Sequence, residues 1–326
     1  MGKRTTPPRS FNTIRQSQCD KRAKRQEQKR FIFFAICATA SLIVIAALVL
    51  LICSIADAIA ANAPGSNNPK DVVYQAYTQS KDDLARGELI LINAEHEYSF
   101  PKNATSALTD MRDALQSATD DPLYGFRSAT DKYLFNAQAL TAFNSMMRKY
   151  YEVTLDDTLI IRTAYRSKEQ QKALNTSVKA GHSDHHSGYC IAFTDEFTKK
   201  EAAKWITENC HKYGFVVRYP EKKGDITGVN DYEACFRYVG VAHASYMKEN
   251  DLCLEEYIKL LAKEHLFDGD HLQFTAADGN NYSVYYVPLS SDPVTTLNVP
   301  TNFSYTVSGD NATGFIVTVN LSDPIE

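Results

Sequence analysis

Hydrophobic and polar positions divide the chain into one long apolar run and a series of short periodic segments. Residues 31–56 form a stretch of 26 residues without a charge, a proline or a glycine. A helix needs about 20 apolar residues to cross a bilayer core, so the run predicts a single transmembrane helix. A cleaved signal peptide is the alternative, because Ala56, Ala58 and Ala60 are small, but its apolar region would span only about 7–15 residues.

Beyond a linker at 57–70, periods of 3.6 and 2 predict an alternation of short helices and strands. Helices are predicted at 71–86, 105–119, 134–150, 167–178, 198–213, 240–249 and 254–265. Strands are predicted at 87–93, 159–164, 189–193, 215–218, 281–289, 303–308 and 314–319. In the third helix Met146 and Met147 share a face with Leu140 and Phe143, which indicates core packing.

Charge is distributed unevenly and orients the apolar run. Residues 1–30 carry ten Lys or Arg residues against Asp20 and Glu27, whereas Asp57 is the only charge between the run and Lys70. Basic flanks stay in the cytoplasm, so we expect residues 1–30 inside the cell, and the remainder outside and anchored to the cell membrane. That remainder is acidic overall, which argues against nucleic acid as a ligand.

Four of the seven cysteines lie in the predicted outer part, where disulfides can form. They are Cys190, Cys210, Cys235 and Cys253. Four cysteines allow three pairings, and the sequence alone does not choose among them.

Three stretches carry candidate chemistry: residues 163–171, 181–193 and 213–240. The second contains His182, His185 and His186 within five residues, in a predicted loop before a strand. Imidazole is a common zinc ligand, which favours a metal site. A solvated polar loop is the alternative interpretation.

In this order the three stretches resemble the VanY-type D-alanyl-D-alanine carboxypeptidases. Tyr165-Arg-Ser…Gln171 is similar to the family's Y-R-S-x-x-x-Q, Ser183-Asp-His…Gly188 to S-E-H-x-x-G, and Phe236-Arg-Tyr-Val-Gly240 to the end of E-P-W-H-F-R-Y-V-G. The resemblance implies an α+β fold, with a small, mostly antiparallel sheet flanked by helices. The resemblance covers about residues 85–262, and we assign 71–267 to the carboxypeptidase-type domain. The change in composition and the alternating strands after His271 indicate a small C-terminal β module at 268–326.

The family's zinc ligands and base map onto altered positions. His185 matches the first ligand, Ala192 the Asp ligand and Cys235 the second His. The general base falls on Tyr232, and the neighbouring Glu233 is offset by one residue. A methyl group cannot bind zinc, a thiolate can, and losing the base alone costs about 10²–10⁴ in rate. The resemblance implies a zinc cofactor, but these substitutions count against it.

The family's substrate-binding positions are retained. Arg166, to which the resemblance assigns the substrate's terminal carboxylate, is present, together with Ser183 and Gln171. The implied ligand is the D-Ala-D-Ala end of a peptidoglycan stem peptide, or else a cell-wall enzyme that the domain contacts.

Cys190 adds a further expectation. It lies two residues before Ala192 on a predicted strand, so both share one face, which the Cys235 position approaches in the family. We predict either a Cys190–Cys235 disulfide or a replacement metal site of His185, Cys190 and Cys235. The alternative is that Cys190 is merely a small buried apolar residue.

Three functions follow. The first is a membrane-anchored carboxypeptidase-like protein that is catalytically impaired and binds stem peptides. The second is an active zinc carboxypeptidase with altered ligands, and the third is a structural or interaction module of the cell envelope. Retained Arg166 favours the first over the third.

Overall fold

The computed structural model describes residues 72–116, 123–174, 176–199, 201–230 and 234–325. The predicted membrane helix at 31–56 lies outside these residues, together with its basic flank and linker. Tyr232 and Glu233 also lie outside them. Within the described ranges, no helix is both long enough and apolar enough to cross a membrane.

Short strands and helices alternate along about the first three quarters of the described chain, and strands alone follow. The strands are β1 Tyr74–Ser80, β2 Leu108–Asp110, β3 Gly125–Phe126, β4 Leu134–Asn136, β5 Ile160–Thr163, β6 Cys190–Phe193, β7 Phe215–Val217, β8 Cys235–Tyr238, β9 Leu272–Thr275, β10 Asn281–Pro288, β11 Val294–Pro300, β12 Phe303–Gly309 and β13 Gly314–Pro324. The α-helices are α1 Met111–Gln116, α2 Ala137–Thr154, α3 Lys168–Ala173, α4 Glu201–Asn209, α5 Gly224–Thr227, α6 Val241–Glu249 and α7 Leu254–Glu264. Short 3-10 turns span Lys81–Ala85, Asp184–Ser187, Asp195–Lys199, Cys210–Tyr213 and Glu221–Lys223.

The sheet that carries the motifs has five strands in the order β3-β5-β6-β8-β7. Only β3 and β5 run parallel; the other neighbours are antiparallel. One face of β6 and β8, with Ile191, Phe193 and Phe236, packs into the cluster that contains the buried side of α2. The alternate residues Cys190 and Cys235 point to the opposite face. The expected α+β class with a small antiparallel sheet is confirmed.

Helix α2 shows why the pattern predicts its core face better than its ends. Asn136 caps it, since the Asn136 side-chain oxygen accepts the N–H groups of Gln138 at 3.0 Å and Ala139 at 3.2 Å. Such a cap is worth about 1 kcal/mol and starts the helix three residues later than predicted. Met146 and Met147 are fully buried, as expected.

The prediction of a helix at 71–86 is wrong. Tyr74–Ser80 forms strand β1 and pairs antiparallel with β11 from Tyr74 opposite Pro300 to Ser80 opposite Val294. Most of β1 remains exposed, so its sequence carries little periodic signal. Pairing with a strand more than 200 residues away decides its conformation, as tertiary context often does for weak propensities.

The strand predicted at 87–93 is also absent, although Leu89 and Ile92 are fully buried. The backbone N–H of Leu89 donates to the hydroxyl of Ser308 at 2.9 Å, and that of Leu91 donates to the carbonyl of Asp310 at 3.0 Å. These bonds satisfy the buried backbone through the Ser308 side chain near the end of β12 and the Asp310 carbonyl just beyond it, rather than through a strand ladder. The helix predicted at 105–119 is reduced to α1, preceded by β2.

The three strands predicted between 281 and 319 are confirmed as β10, β12 and β13, in a four-stranded antiparallel sheet of order β12-β13-β10-β9. Its inner face shares a buried apolar cluster with helices α6 and α7, in which Tyr286 and Ile316 join Met247 and Leu261. Burial of such side chains contributes about 1.5–3 kcal/mol each. The C-terminal strands thus pack directly on helices that follow the candidate site.

Candidate active site

His185 lies in the 3-10 turn Asp184–Ser187, immediately before β6, and is 5% exposed. Its Nδ1 lies 2.8 Å from the carbonyl oxygen of Ala164. A carbonyl only accepts, so Nδ1 carries the proton and Nε2 presents its lone pair. Nε2 is buried and has no hydrogen-bond partner among the described residues. A buried polar atom without a partner calls for an explanation, and an ion held by this nitrogen and the neighbouring sulfurs is one.

Two cysteine sulfurs stand close to this nitrogen. Cys190 and Cys235 are fully buried on neighbouring strands, and their sulfur atoms lie 2.7 Å apart as free thiols. The ligand atoms of His185, Cys190 and Cys235 all lie within 4.8 Å of one another. Burial, followed by the hydrogen bond with Cys235, raises the pKa of the Cys190 thiol well above its usual value.

Ala192 completes the pattern that alternation predicts. In the antiparallel ladder Ala192 faces Cys235 directly, and both belong with Cys190 to one small buried cluster. The methyl group offers no ligand atom, whereas Cys190, two residues earlier on the same face, carries a sulfur of a type that binds metals. The same closeness is compatible with a disulfide, and both alternatives for the pair stay predictions.

The three ligands fit a zinc ion. Zinc prefers imidazole nitrogen and thiolate sulfur, and three protein ligands with an open fourth position are the usual arrangement of a catalytic zinc site. A set of two cysteines and one histidine is among the known ligand sets. The unpartnered Nε2 of His185 is the observation from this structure that favours such a role.

Arg166 is held beside the same turn. Its backbone N–H donates to the carbonyl of His185 at 3.1 Å, and its guanidinium Nη1 donates to the side-chain oxygen of Gln171 at 2.5 Å. Gln171 is 2% exposed, and its Nε2 donates to the carbonyl of Val178 at 2.9 Å. The buried amide therefore fixes the direction of the arginine side chain.

Ser183 precedes the turn and is buried. Its carbonyl accepts the N–H of His186 at 3.0 Å, which closes the 3-10 turn that carries His185. The structure thus brings Arg166, Gln171, Ser183 and His185 together through this turn.

The sequence interpretation missed a buried ion network under the turn. Asp184 is 1% exposed, and its carboxylate binds Arg218 Nε at 3.1 Å and Arg237 Nη1. Arg218 also makes two hydrogen bonds with Glu255, at 3.0 and 2.8 Å. Burial alone would raise the pKa of Glu255, but Arg218 outweighs it and the pKa lies below its usual range.

The network anchors the turn that carries His185 to β8 and α7. The sequence carried a signal for this network, namely charged residues beside or inside apolar strand segments. Arg218 follows Phe215-Val-Val, and Arg237 follows Phe236. Charged side chains are almost never fully buried unless paired, so each of these arginines required a carboxylate.

Comparisons with known proteins show the family of this chain. The profile of the VanY family, D-alanyl-D-alanine carboxypeptidase, matches residues 98–241. The chain is 32% identical over 254 residues to a D-alanyl-D-alanine carboxypeptidase of Enterococcus faecium, covering 75% of this chain and 79% of that protein. It is 28% identical over 209 residues to the putative carboxypeptidase YodJ of Bacillus subtilis, covering 56% and 71%.

Among solved structures, the chain is similar in fold to the vancomycin-resistance D,D-dipeptidase VanXYg, crystallised with a D-Ala-D-Ala phosphinate analogue. The TM-score is 0.63 and the identity 24%, and the match covers 76% of this chain and 99% of that chain. This likeness concerns the fold.

Proposed function

Because the chain belongs to the VanY family of D-alanyl-D-alanine carboxypeptidases, we propose that it binds the D-Ala-D-Ala end of peptidoglycan stem peptides and hydrolyses it poorly. We further propose that residues 31–56 anchor it in the cell membrane with the domain outside. The proposal of peptide binding rests on the position of Arg166. The buried side chain of Gln171 orients this arginine beside the turn that carries His185.

A guanidinium recognises a carboxylate through charge-assisted hydrogen bonds, which are roughly twice as strong as neutral ones. Arg166 accordingly binds the terminal carboxylate of the peptide and places the last peptide bond near His185. The hydrolysis step lacks its proton acceptor, since Tyr232 stands at the base position. Poor hydrolysis is the consequence, because a tyrosine hydroxyl, with a pKa near 10, stays protonated at neutral pH.

Replacing Arg166 with alanine should weaken binding of a muramyl pentapeptide by about 10–100-fold, the equivalent of the 1.5–3 kcal/mol typical of hydrogen bonds to charged groups. Isothermal titration calorimetry measures it. Lys172→Ala, which removes an exposed cation from the same helix α3, is the matched control and should bind like the original chain. Equal affinities for the two variants would contradict the proposal; absence of any peptide binding would favour an interaction module.

The second candidate, an active zinc carboxypeptidase with altered ligands, is favoured by the unpartnered Nε2 of His185. His185, Cys190 and Cys235 would hold the ion. A bound zinc would polarise the scissile carbonyl and lower the pKa of a bound water. Arg166 would hold the substrate as in the first candidate.

Zinc retention separates the possibilities for the two cysteines. We expect the reduced, dialysed chain to retain zinc, and Cys235→Ser to weaken zinc affinity by at least about tenfold, because a hydroxyl is a poorer zinc ligand than a thiolate. Elemental analysis measures this, with Cys210→Ser, a buried cysteine outside the cluster, as the control. An intact mass lower by two hydrogens without reductant, and no zinc, would identify the disulfide instead. Free thiols without zinc would exclude both.

A further inference from the structure

A cavity of about 320 Å³ lies apart from the candidate active site and is lined by none of its residues. We call it the Glu88 pocket; it lies between the end of β8 and the C-terminal sheet. Its chemistry is set by three tyrosines and two carboxylates, while no lysine or arginine lines it. These residues are Tyr238, Tyr282, Tyr305, Glu88 and Asp278. His243 also lines the cavity and is neutral, because burial lowers its pKa to about 3.

The carboxylate of Glu88 lacks a counter-ion. Glu88 is half-buried and forms no ion pair with a described residue; its carboxylate accepts hydrogen bonds from its own backbone N–H and, at 3.5 Å, from Thr306. Burial raises the pKa of Glu88, so its charged form is costly without a cation nearby; its own backbone N–H and the more distant charge of Arg237 offset this only in part. An incompletely compensated charge in a pocket marks a candidate binding site.

Arg237 is not available to neutralise Glu88, because all three of its side-chain nitrogens are engaged elsewhere. Its Nη1 binds Asp184, its Nε donates to the carbonyl of Tyr238 at 3.2 Å, and its Nη2 donates to the backbone carbonyls of Glu88 and Ile90 at 2.8 and 3.0 Å. A cationic group that neutralises Glu88 must therefore come from a bound ligand.

The tyrosines give the pocket walls that also favour a cation. Tyr282 is held in place by Asp278, whose Oδ2 accepts the Tyr282 hydroxyl at 2.8 Å. Tyr238 is buried and stacks on Tyr189 with ring centroids 6.3 Å apart. The faces of tyrosine rings attract cations, and aromatic enclosures with a carboxylate are the usual receptors of alkylammonium groups.

We propose that the Glu88 pocket binds an alkylammonium group, with Glu88 as its counter-ion and the three tyrosines as its walls. The volume lies at the small end of ligand pockets, which suits a cationic head group rather than a whole peptide. A neutral sugar would leave the charge of Glu88 uncompensated. The group can be quaternary, as in choline, or primary, as in a lysine-type side chain; both share this chemistry.

The test titrates the full-length chain with choline, with n-butylammonium and with 3,3-dimethylbutan-1-ol, a neutral analogue of choline. We expect at least one cation to bind about tenfold or more tightly than the alcohol, and Glu88→Gln to weaken that binding by about tenfold or more, since charge-assisted contacts are the strong ones. Glu249→Gln removes an exposed carboxylate outside the pocket and should leave the affinity unchanged. Tighter binding of choline would identify a quaternary ammonium ligand, and tighter binding of n-butylammonium a primary one.

Stability supplies the second measurement. Because Glu88 has no ion-pair partner in the described structure, Glu88→Gln should leave the melting temperature unchanged or raise it while cation binding falls. Loss of binding together with a lowered melting temperature would indicate a structural role and overturn the proposal. Equal binding of the alcohol and the cations, unchanged binding by Glu88→Gln, or no saturable binding of either cation would also overturn it.

Discussion

The triple variant Ala192→Asp, Cys235→His, Tyr232→Glu should release D-alanine from a muramyl pentapeptide about 10²–10⁴ times faster than the double variant Ala192→Asp, Cys235→His. Both variants carry the family's ligand types at positions 192 and 235. The difference between their rates therefore measures the contribution of the base alone. The carboxylate introduced by Tyr232→Glu accepts the proton of the attacking water, a step that the tyrosine hydroxyl cannot perform near neutral pH.

The pairing of β6 with β8 supports the choice of positions 192 and 235 for the two new ligands. Ala192 faces Cys235 on the neighbouring strand, and both share their face with Cys190, so new side chains at 192 and 235 are directed toward His185. Space is limited because all these positions are buried, and the melting temperature with zinc must be checked before rates are compared.

Release of D-alanine is measured by an amino-acid assay under zinc saturation. Glu233→Gln added to the triple variant is the control for the neighbouring carboxylate and should not slow it. If the triple variant is no faster than the double variant, the assignment of residue 232 as the base position fails. If the original chain already matches the triple variant, poor hydrolysis is contradicted.

Asp184→Asn is expected to lower the free energy of unfolding by about 3–5 kcal/mol, because it leaves the buried guanidinium groups of Arg218 and Arg237 without part of their compensating charge. Breaking a buried pair from one side is far more costly than its net contribution to stability would indicate. The effect should extend to the His185 turn, which begins at Asp184.

Urea unfolding measures this loss, with a chelator present so that metal binding does not add to the stability of either form. Asp195→Asn is the matched control, because the Asp195 side chain is 82% exposed in its ion pair with Arg162. This substitution should lower the free energy of unfolding by at most about 1 kcal/mol. Similar losses in the two variants would show that the network is not a buried charge cluster in solution.

The sequence predicted elements well where the periodic pattern coincided with burial. The apolar face of α2 and the strand at 190–193 are buried as their periodicity indicated. It failed at β1, where an exposed, weakly patterned segment is held by pairing with β11, and at 89–92, where backbone N–H groups bond to the Ser308 side chain and the Asp310 carbonyl instead of forming a strand ladder. In each failure the deciding partner lies more than 200 residues away, beyond any local signal.

For the candidate site, the sequence by itself determined the family and, through alternation, the common face of Cys190 and Ala192, while the altered ligand and base positions stay predictions. Only the tertiary structure decided which groups meet. The register of β6 and β8 brings the sulfurs of Cys190 and Cys235 together near the unpartnered Nε2 of His185. Arg218 and Arg237 reach Asp184 from 34 and 53 residues away. The local sequence specifies the type and spacing of the side chains. The partner of a buried charged group or of a candidate metal ligand depends on how strands distant in sequence pack together.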